Sequence, residues 1–311
     1  MTLTVVGSIA FDAVETPTGK RDRLLGGAAV HFSLASSFLC ETRVVGPVGD
    51  DFGEEEYAVL HDRGVLTDDI EHVPGGKTFF WAGRYERDPN VRHTLQTDLN
   101  VFEHFQPKLS EASRAAETVF LANIHPDLQR AVHAQCHSAR FVAMDTMNMW
   151  IEVTRPSLEK TIAGVDCLIV NDEEVKQLTD EPNLVRAART VHAMGPRVVI
   201  AKQGEHGAGM YTPDGFFALP AYPTPDVVDP TGAGDTFAGG FMGYVAAHAS
   251  AEPTDELLRR AMAYGTALAS FNVEAFGTER MQTLTGDEVA ERVGELQRIT
   301  RFDAAPVPLR A

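Results

Sequence analysis

Short runs of β-branched or apolar residues recur along the chain at Leu3 to Ile9, Arg43 to Val48, Thr118 to Ala122, Arg140 to Met144, Val165 to Val170 and Val198 to Ala201. They are largely continuous rather than alternating, the pattern of strands buried on both faces. Between them lie helix-compatible segments: Ala28 to Leu39, Gly53 to Gly64, Asp127 to Cys136, Pro156 to Gly164, Asp172 to Thr179, Leu184 to Met194, Asp235 to Ala249, Asp255 to Val273 and Gly286 to Ile299. Strand and helix in alternation predict an α/β fold, a mainly parallel sheet covered on both sides.

The stretch from Ile70 to Thr97 breaks this rhythm. Thr78 to Tyr85 and Arg92 to Leu95 alternate with no helix between them, and Arg87-Asp88-Pro89-Asn90 supplies a turn, so this segment reads as a hairpin. Lys20 to Leu25 is its expected partner in a small second sheet projecting from the body. No repeat, low-complexity tract or linker rich in Gly, Ser or Pro divides the chain, so residues 1–311 are read as a single domain. Phe302 to Ala311 is expected to trail over the surface.

Composition narrows the classes. The chain has 311 residues, 44% hydrophobic, enough for a sizeable core. A formal net charge of −17 argues against nucleic acid or an anionic membrane as partner, so any phosphorylated ligand must be held locally. Met1 to Ile9 has no basic region followed by a long apolar one, and no stretch reaches membrane-spanning length; a cytoplasmic enzyme is the expectation. Cys40, Cys136 and Cys167 are odd in number and far apart, which fits reduced thiols better than a disulfide framework or a zinc site.

The most informative string is Asp229-Pro-Thr-Gly-Ala-Gly-Asp-Thr-Phe237, running into a small apolar helix. Gly232, Ala233 and Gly234 carry so little side chain that their amides can approach an anion, and the helix start adds its positive dipole. Asp235 on the same turn reads either as a helix cap or as a base taking a proton from a hydroxyl that attacks phosphorus. There is no Gly-x-x-x-x-Gly-Lys-Ser/Thr, which excludes a P-loop, and no well-placed Gly-x-Gly-x-x-Gly, which disfavours a dinucleotide oxidoreductase.

This string resembles the C-terminal signature of the ribokinase-like (PfkB) carbohydrate kinases, and the resemblance extends from Leu3 to about Arg298. It implies a three-layer αβα fold with a mainly parallel central sheet and a β-sheet lid, here from segments of about 13–25 and 70–97. It also implies Asp235 as catalytic base, Gly232, Ala233 and Gly234 as anion hole, and transfer of the γ-phosphoryl group of ATP to a sugar hydroxyl, with a primary CH₂OH favoured.

Other motifs gain meaning beside that resemblance. Asp12 falls just past the first expected strand, where α/β sheets bind ligands, and the family has a substrate-hydroxyl Asp there. Gly26 and Gly27 open the next helix and, in the family, lie under the sugar; an Asn usually follows, and this chain has His31 instead. Val45 to Gly53 is similar to the family's N-terminal signature, with Asp50 or Asp51 expected to cap the next helix.

Asn171 and Glu174 have capping-box spacing, and the resemblance implies that they govern Mg²⁺ and phosphate, Glu174 commonly through water. The loop Lys202 to Gly207 follows a strand; the resemblance places Gly204 and Gly207 over nucleotide phosphates, with Lys202 standing where Thr is frequent, as a phosphate contact or a solvated lysine. Ala267 to Gly277 is expected to wall the adenine. Backbone carbonyls near Phe271 to Gly277, with Asp229 and Thr231, are candidates for a monovalent cation such as K⁺.

The acceptor is read as a free sugar, with a nucleoside as the alternative because Phe79, Phe80, Trp81 and Tyr85 offer aromatic surface. A sugar phosphate is disfavoured, since the lid carries only Arg84, Arg87 and Arg92 to hold a second phosphate. A non-catalytic ligand-binding protein on the same fold is the alternative of another class. Exposed lid edges suggest a homodimer pairing lid against lid.

Overall fold

The computed structural model describes residues 2–248 and 252–302. Ala249, at the end of one expected helix, and residues 303–311 of the expected surface tail lie outside the described residues. The N-terminal third contains β1 (Thr2–Val6), β2 (Ala10–Thr16), β3 (Gly19–Gly26), α1 (Ala28–Ser36), β4 (Glu41–Val48), α2 (Glu54–His61), β5 (Leu66–His72), β6 (Phe79–Tyr85) and β7 (Arg92–Asp98). Then follow α3 (Glu111–Arg114), β8 (Thr118–Leu121), α4 (Pro126–His133), β9 (Phe141–Met144), α5 (Asn148–Val153), α6 (Arg155–Ile162), β10 (Cys167–Asn171), α7 (Asp172–Thr179), α8 (Leu184–Met194) and β11 (Val198–Lys202). The chain continues through β12 (Ala208–Thr212), β13 (Gly215–Leu219), α9 (Ala233–Ala247), α10 (Asp255–Asn272), α11 (Glu279–Thr283) and α12 (Gly286–Thr300).

The main sheet has nine strands in the order β13-β12-β11-β10-β9-β8-β1-β4-β5. From β11 to β5 all pairings are parallel; β12 and β13 extend the sheet antiparallel. The continuous apolar runs are explained by what lies on each face. Cys167 and Ile169 of β10 join the core that holds α1, α9 and α10, whereas Leu168 and Val170 join the core under α4, α6, α7 and α8. Burying both sets contributes roughly 1.5–3 kcal/mol per large aliphatic side chain, so strict apolarity replaces alternation.

Three departures from the sequence reading have physical reasons. The first strand stops at Val6, because Gly7 and Ser8 turn the chain into β2. Residues 70–72, grouped with the hairpin, run in the main sheet as the end of β5, an edge strand whose outer side needs no apolar residues. Strands β12 and β13 were not anticipated; β13 is mostly exposed and gives no buried-strand signal.

The second sheet has the order β3-β2-β6-β7, with β2 parallel to β6 and antiparallel pairs outside. It stands over the C-terminal ends of the central strands. One face packs Phe80 and Phe11 against the body core; the other gathers Val14, Trp81 and Tyr85 with Leu24, Phe276 and Val228. Asp50 and Asp51 do not cap α2. They tie down the chain leading into β6, Asp50 accepting from the Gly75 amide at 2.8 Å and Asp51 from the Thr78 amide at 2.7 Å, while α2 is capped by Gly53 and Glu56. All three cysteines are free thiols.

Candidate active site

Helix α9 starts directly below the lid. Its cap, Gly232, has φ +74°, a left-handed conformation that a side chain disfavours, and a Cβ there would collide with the His31 ring. The Ala233 amide donates to the Pro230 carbonyl at 3.2 Å and the Thr236 amide to the Gly232 carbonyl at 2.8 Å. The amides of Gly232, Gly234 and Asp235 have no acceptor among the described residues. They are the donors free to meet an anion at this helix start, and Ala233, expected among them, has its amide already engaged.

Asp235 is the third residue of α9, and its carboxylate makes no hydrogen bond among the described residues, so it is not the helix cap. Burial pushes its carboxyl above the usual carboxylate range, against the opposing pull of Lys202 and Arg92. A carboxylate desolvated in this way and flanked by cations has the features of a base.

On one side of Asp235 lies an acid-rich, partly aromatic wall. Asp12 is not in a loop after the first strand but on β2 of the second sheet, facing down beside Trp81, its register partner on β6. It is 6% exposed, and burial together with Asp229 and Asp235 pushes its carboxyl up to about 7, opposed by a hydrogen bond from the Gly27 amide. A Cβ on Gly26 would collide with Asp12 Oδ2, so Gly26 makes room for the carboxylate itself, whereas a Cβ on Gly27 would collide with the Ser8 carbonyl.

His31 is buried in the first turn of α1, with Nδ1 3.1 Å from Asn272 Oδ1. Asn272 also donates from Nδ2 to the Thr231 carbonyl at 2.8 Å and accepts from the Thr236 hydroxyl at 3.1 Å. These bonds fix the amide orientation, so His31 Nδ1 carries its proton and Nε2 is a bare, buried acceptor without a partner. Burial holds His31 below its ordinary pKa, in the neutral form.

On the other side, β10 and β11 end together, with Asn171 beside Lys202. Asn171 Oδ1 accepts from the Glu174 amide at 2.7 Å and Glu174 Oε2 from the Asn171 amide at 2.9 Å, a complete capping box at the start of α7. Glu174 nonetheless feels the site: burial raises its carboxyl, while Lys202, the Asn171 amide and Arg92 oppose the shift. Gly204 and Gly207 both have positive φ in the loop after β11. Gly207 is pressed against the Leu219 carbonyl, a packing requirement of the loop, whereas Gly204 faces the lid-tip residue Asn90. Thr231 lies between the two sides, its hydroxyl 3.2 Å from that of Tyr85 on the lid.

Asp229 is fully buried and accepts from the Thr231 amide at 2.9 Å and the Gly277 amide at 2.9 Å. The carbonyls of Phe271, Val273 and Phe276 already accept amide bonds. These bonds tie the loop before α9 to the segment that follows α10.

Sequence reasoning passed over four participants: Asp145, Asn272, Tyr85 in this role, and Arg92 as a charge on the reaction side. Asp145, 6% exposed just past β9, has a buried Oδ1 without a partner, and burial and Asp235 raise its carboxyl well above the usual range. The rule that drew attention to Asp12, a carboxylate beyond a parallel strand's C-terminal end, applies to Asp145 without change. Asn272, Tyr85 and Arg92 carry no local signal, because their partners are 36 or more residues away in sequence.

A parallel sheet with a free-amide helix start, a carboxylate base and a covering second sheet defines a phosphotransferase that uses an alcohol as acceptor. The pfkB family carbohydrate kinase model matches residues 3–284, and the chain belongs to that family. It is 28% identical over 266 residues to a cytidine kinase of Thermococcus kodakarensis, covering 83% of this chain and 92% of the relative. A nucleoside kinase of Methanothermobacter thermautotrophicus is 26% identical (92% and 94% covered), and an ATP-dependent ribose-1-phosphate kinase of Halopiger xanaduensis 28% (89% and 88%). The fold is also that of Methanocaldococcus jannaschii nucleoside kinase, with a TM-score of 0.76 at 23% identity, covering 94% of this chain and 98% of the other. Arabidopsis thaliana ribokinase, solved with ribose and ATP, gives 0.74 at 22%, with 94% and 98% covered.

Proposed function

We propose that this kinase transfers the γ-phosphoryl group of ATP to the primary hydroxyl of a small, uncharged sugar. The observation that carries the reading is Asp235 on the first turn of α9 beside the unengaged amides of Gly234 and Asp235. Asp235 takes the acceptor's hydroxyl proton as the acceptor oxygen attacks phosphorus in line, and the amides stabilise the charge on the moving phosphoryl group. Asp12 accepts hydrogen bonds from the sugar's other hydroxyls, with Gly26 and Gly27 beneath it and His31 Nε2 as a further acceptor. Asn171, Lys202, Gly204 and Thr231 line the nucleotide side, and the lid excludes water, a competing acceptor.

Mg²⁺ suits the donors present. Asp145 Oδ1 is buried without a partner, Glu174 stands across from the same lysine, and among the described residues no three His, Cys, Asp or Glu side chains converge to cage an ion. That is a sparse oxygen set, in which Glu174 and Asp145 would hold the cation. When bound, it supplies charge neutralisation at the phosphates.

The acid-rich wall formed by Asp12, Asp229 and Asp235 opposes a phosphorylated acceptor. A second reading, a nucleoside acceptor, is favoured by Trp81, Tyr85 and Phe276 beside Asp12, a surface on which a base can stack, and by the cytidine and nucleoside kinases among the relatives. The exposed strand β7 supports a lid-to-lid homodimer. ADP release with Mg·ATP against pentoses, hexoses, their phosphates and common nucleosides, run beside Asp235→Asn, tests the reading. Acceptor-dependent release lost in the variant supports it; silence across the panel from folded, ATP-binding protein overturns it.

A further inference from the structure

Lys202 ends β11 in a loop whose next residues, Glu205 and His206, are exposed, yet its own side chain turns inward. Its Nζ lies 2.8 Å from the position a Cβ on Gly234 would take, against the first turn of α9. The same ammonium is the cation common to Asp145, Glu174 and Asp235, whose carboxyls it pulls down against the effect of burial. A solvated loop lysine has no reason to turn toward the carboxylates of Asp145, Glu174 and Asp235 and to sit beside unengaged amides; a fixed counter-charge does. With β10 and β11 in register at Asn171 and Lys202, the stem of this lysine is anchored by the parallel sheet rather than by the loop.

We propose that Lys202 is a catalytic residue that neutralises charge on the transferring phosphoryl group, acting with the Gly234 amide rather than merely gripping the resting nucleotide. This rests on the functional reading above. As the acceptor oxygen forms its bond to Pγ, the bond from Pγ to the β,γ-bridging oxygen breaks. That oxygen keeps the electron pair and leaves on ADP, and the acceptor's proton passes to Asp235. The equatorial oxygens then lie toward the Gly234 amide, where the ammonium is already placed, so its interaction grows from ground state to transition state. The empty enzyme keeps its carboxylates compatible by the same charge.

The test compares wild type with Lys202→Met, Lys202→Thr and Lys202→Arg, with Asp235→Asn alongside. Melting temperatures, kcat, KM for each substrate, affinity for Mg·ADP, and affinity for Mg·ADP–aluminium fluoride in the presence of acceptor are measured. Removing a preorganised donor of this kind costs about 10²–10³-fold in kcat. The Met and Thr variants are expected to lose that much, with a matching loss of affinity for the aluminium fluoride complex, about threefold or smaller change for Mg·ADP, and partial recovery in the Arg variant. Equal weakening toward Mg·ADP and the aluminium fluoride complex with kcat intact, or no change at all, overturns the proposal. If the Met variant does not fold, the Thr variant carries the same comparison. Wild-type silence with every acceptor would sink the kinase reading itself, whereas wild-type turnover with unimpaired Lys202 variants would sink only the role of this lysine.

Discussion

In the main sheet, β10 buries its first four residues, while in the lid every residue of β7 is exposed. The two sheets meet at the same site and supply different things to it. From the body come Asp235, the free amides, Lys202 and Glu174, on helix starts and strand ends anchored by two apolar cores. From the lid come Asp12, Trp81 and Tyr85, on a sheet whose apolar cluster on that face is small, beside the Phe11 and Phe80 contacts of its other face with the body core. On the proposed function, chemistry that needs fixed geometry would fall to the part that cannot shift cheaply, and acceptor recognition to the part with less to lose by moving. Disturbance of the body should therefore appear in kcat and in stability, and disturbance of the lid mainly in the KM of the acceptor.

The largest expected effect is on the body side. Asp235→Asn removes the base without changing volume, and kcat is expected to fall by about 10²–10⁴-fold with the melting temperature held or raised, since a buried carboxylate is lost. Normal turnover by this variant would remove Asp235 from the mechanism. Next is Gly232→Ala, which places a side chain at φ +74° and against the His31 ring. Strain alone costs about 1–2 kcal/mol, so kcat and melting temperature should fall together; a fall in neither would mean that the turn is not rigid.

The lid then offers the contrast. Asp12→Asn should raise the acceptor KM by about 10–100-fold, the range for a charge-assisted hydrogen bond of roughly 1.5–3 kcal/mol, while kcat at saturation changes little. Because the Asp12 carboxyl is pushed up to about 7, acceptor affinity of the wild type should improve as pH rises through that value, and the variant should lack this limb. Stability has the opposite sign. The folded state holds this proton more tightly than the unfolded chain, so the contribution is present below the ordinary value of 3.8 and lost as pH rises toward about 7. Asp12→Asn should consequently melt higher than wild type at pH 8, and melting curves at pH 5 and 8 check this.

Smallest is Tyr85→Phe, which removes the hydroxyl contact to Thr231 across the lid boundary. A cost of about 0.5–1.5 kcal/mol should raise the acceptor KM by up to about tenfold with no measurable change in melting temperature. If kcat falls instead, lid and body act as one rigid unit and the division drawn above is wrong.

Helices α7 and α8 coincide with their sequence boundaries because Asn171 and Asn183 cap them locally and the apolar spacing is regular. The parallel strands were legible for a related reason, since burial on both faces leaves no polar position to confuse. The lid was read less well: the first strand was run on to Ile9 and β2 was not read as a strand, and the end of β5 was taken into the hairpin, because half-exposed strands carry a weak, easily shifted signal. In the site, Asp235 and its glycines were visible as a contiguous string, but Ala233's amide proved to be engaged, and the bonds of Asp229 to the Thr231 and Gly277 amides carried no signal in the sequence.

The sequence by itself determined the α/β class, the family and the glycine-rich start of α9 with its Asp235, because these depend on short-range patterns: periodicity, capping spacing and glycine at a helix start. Only the tertiary structure decided that Asp12 descends from the lid, that Asn272 fixes the tautomer of His31, and that Lys202 and Asp145 share the reaction side with Asp235. Each of these is a contact between segments far apart in the chain. Its energy arises from burying charges and hydrogen-bonding groups together, and no local pattern encodes which distant partner will be there.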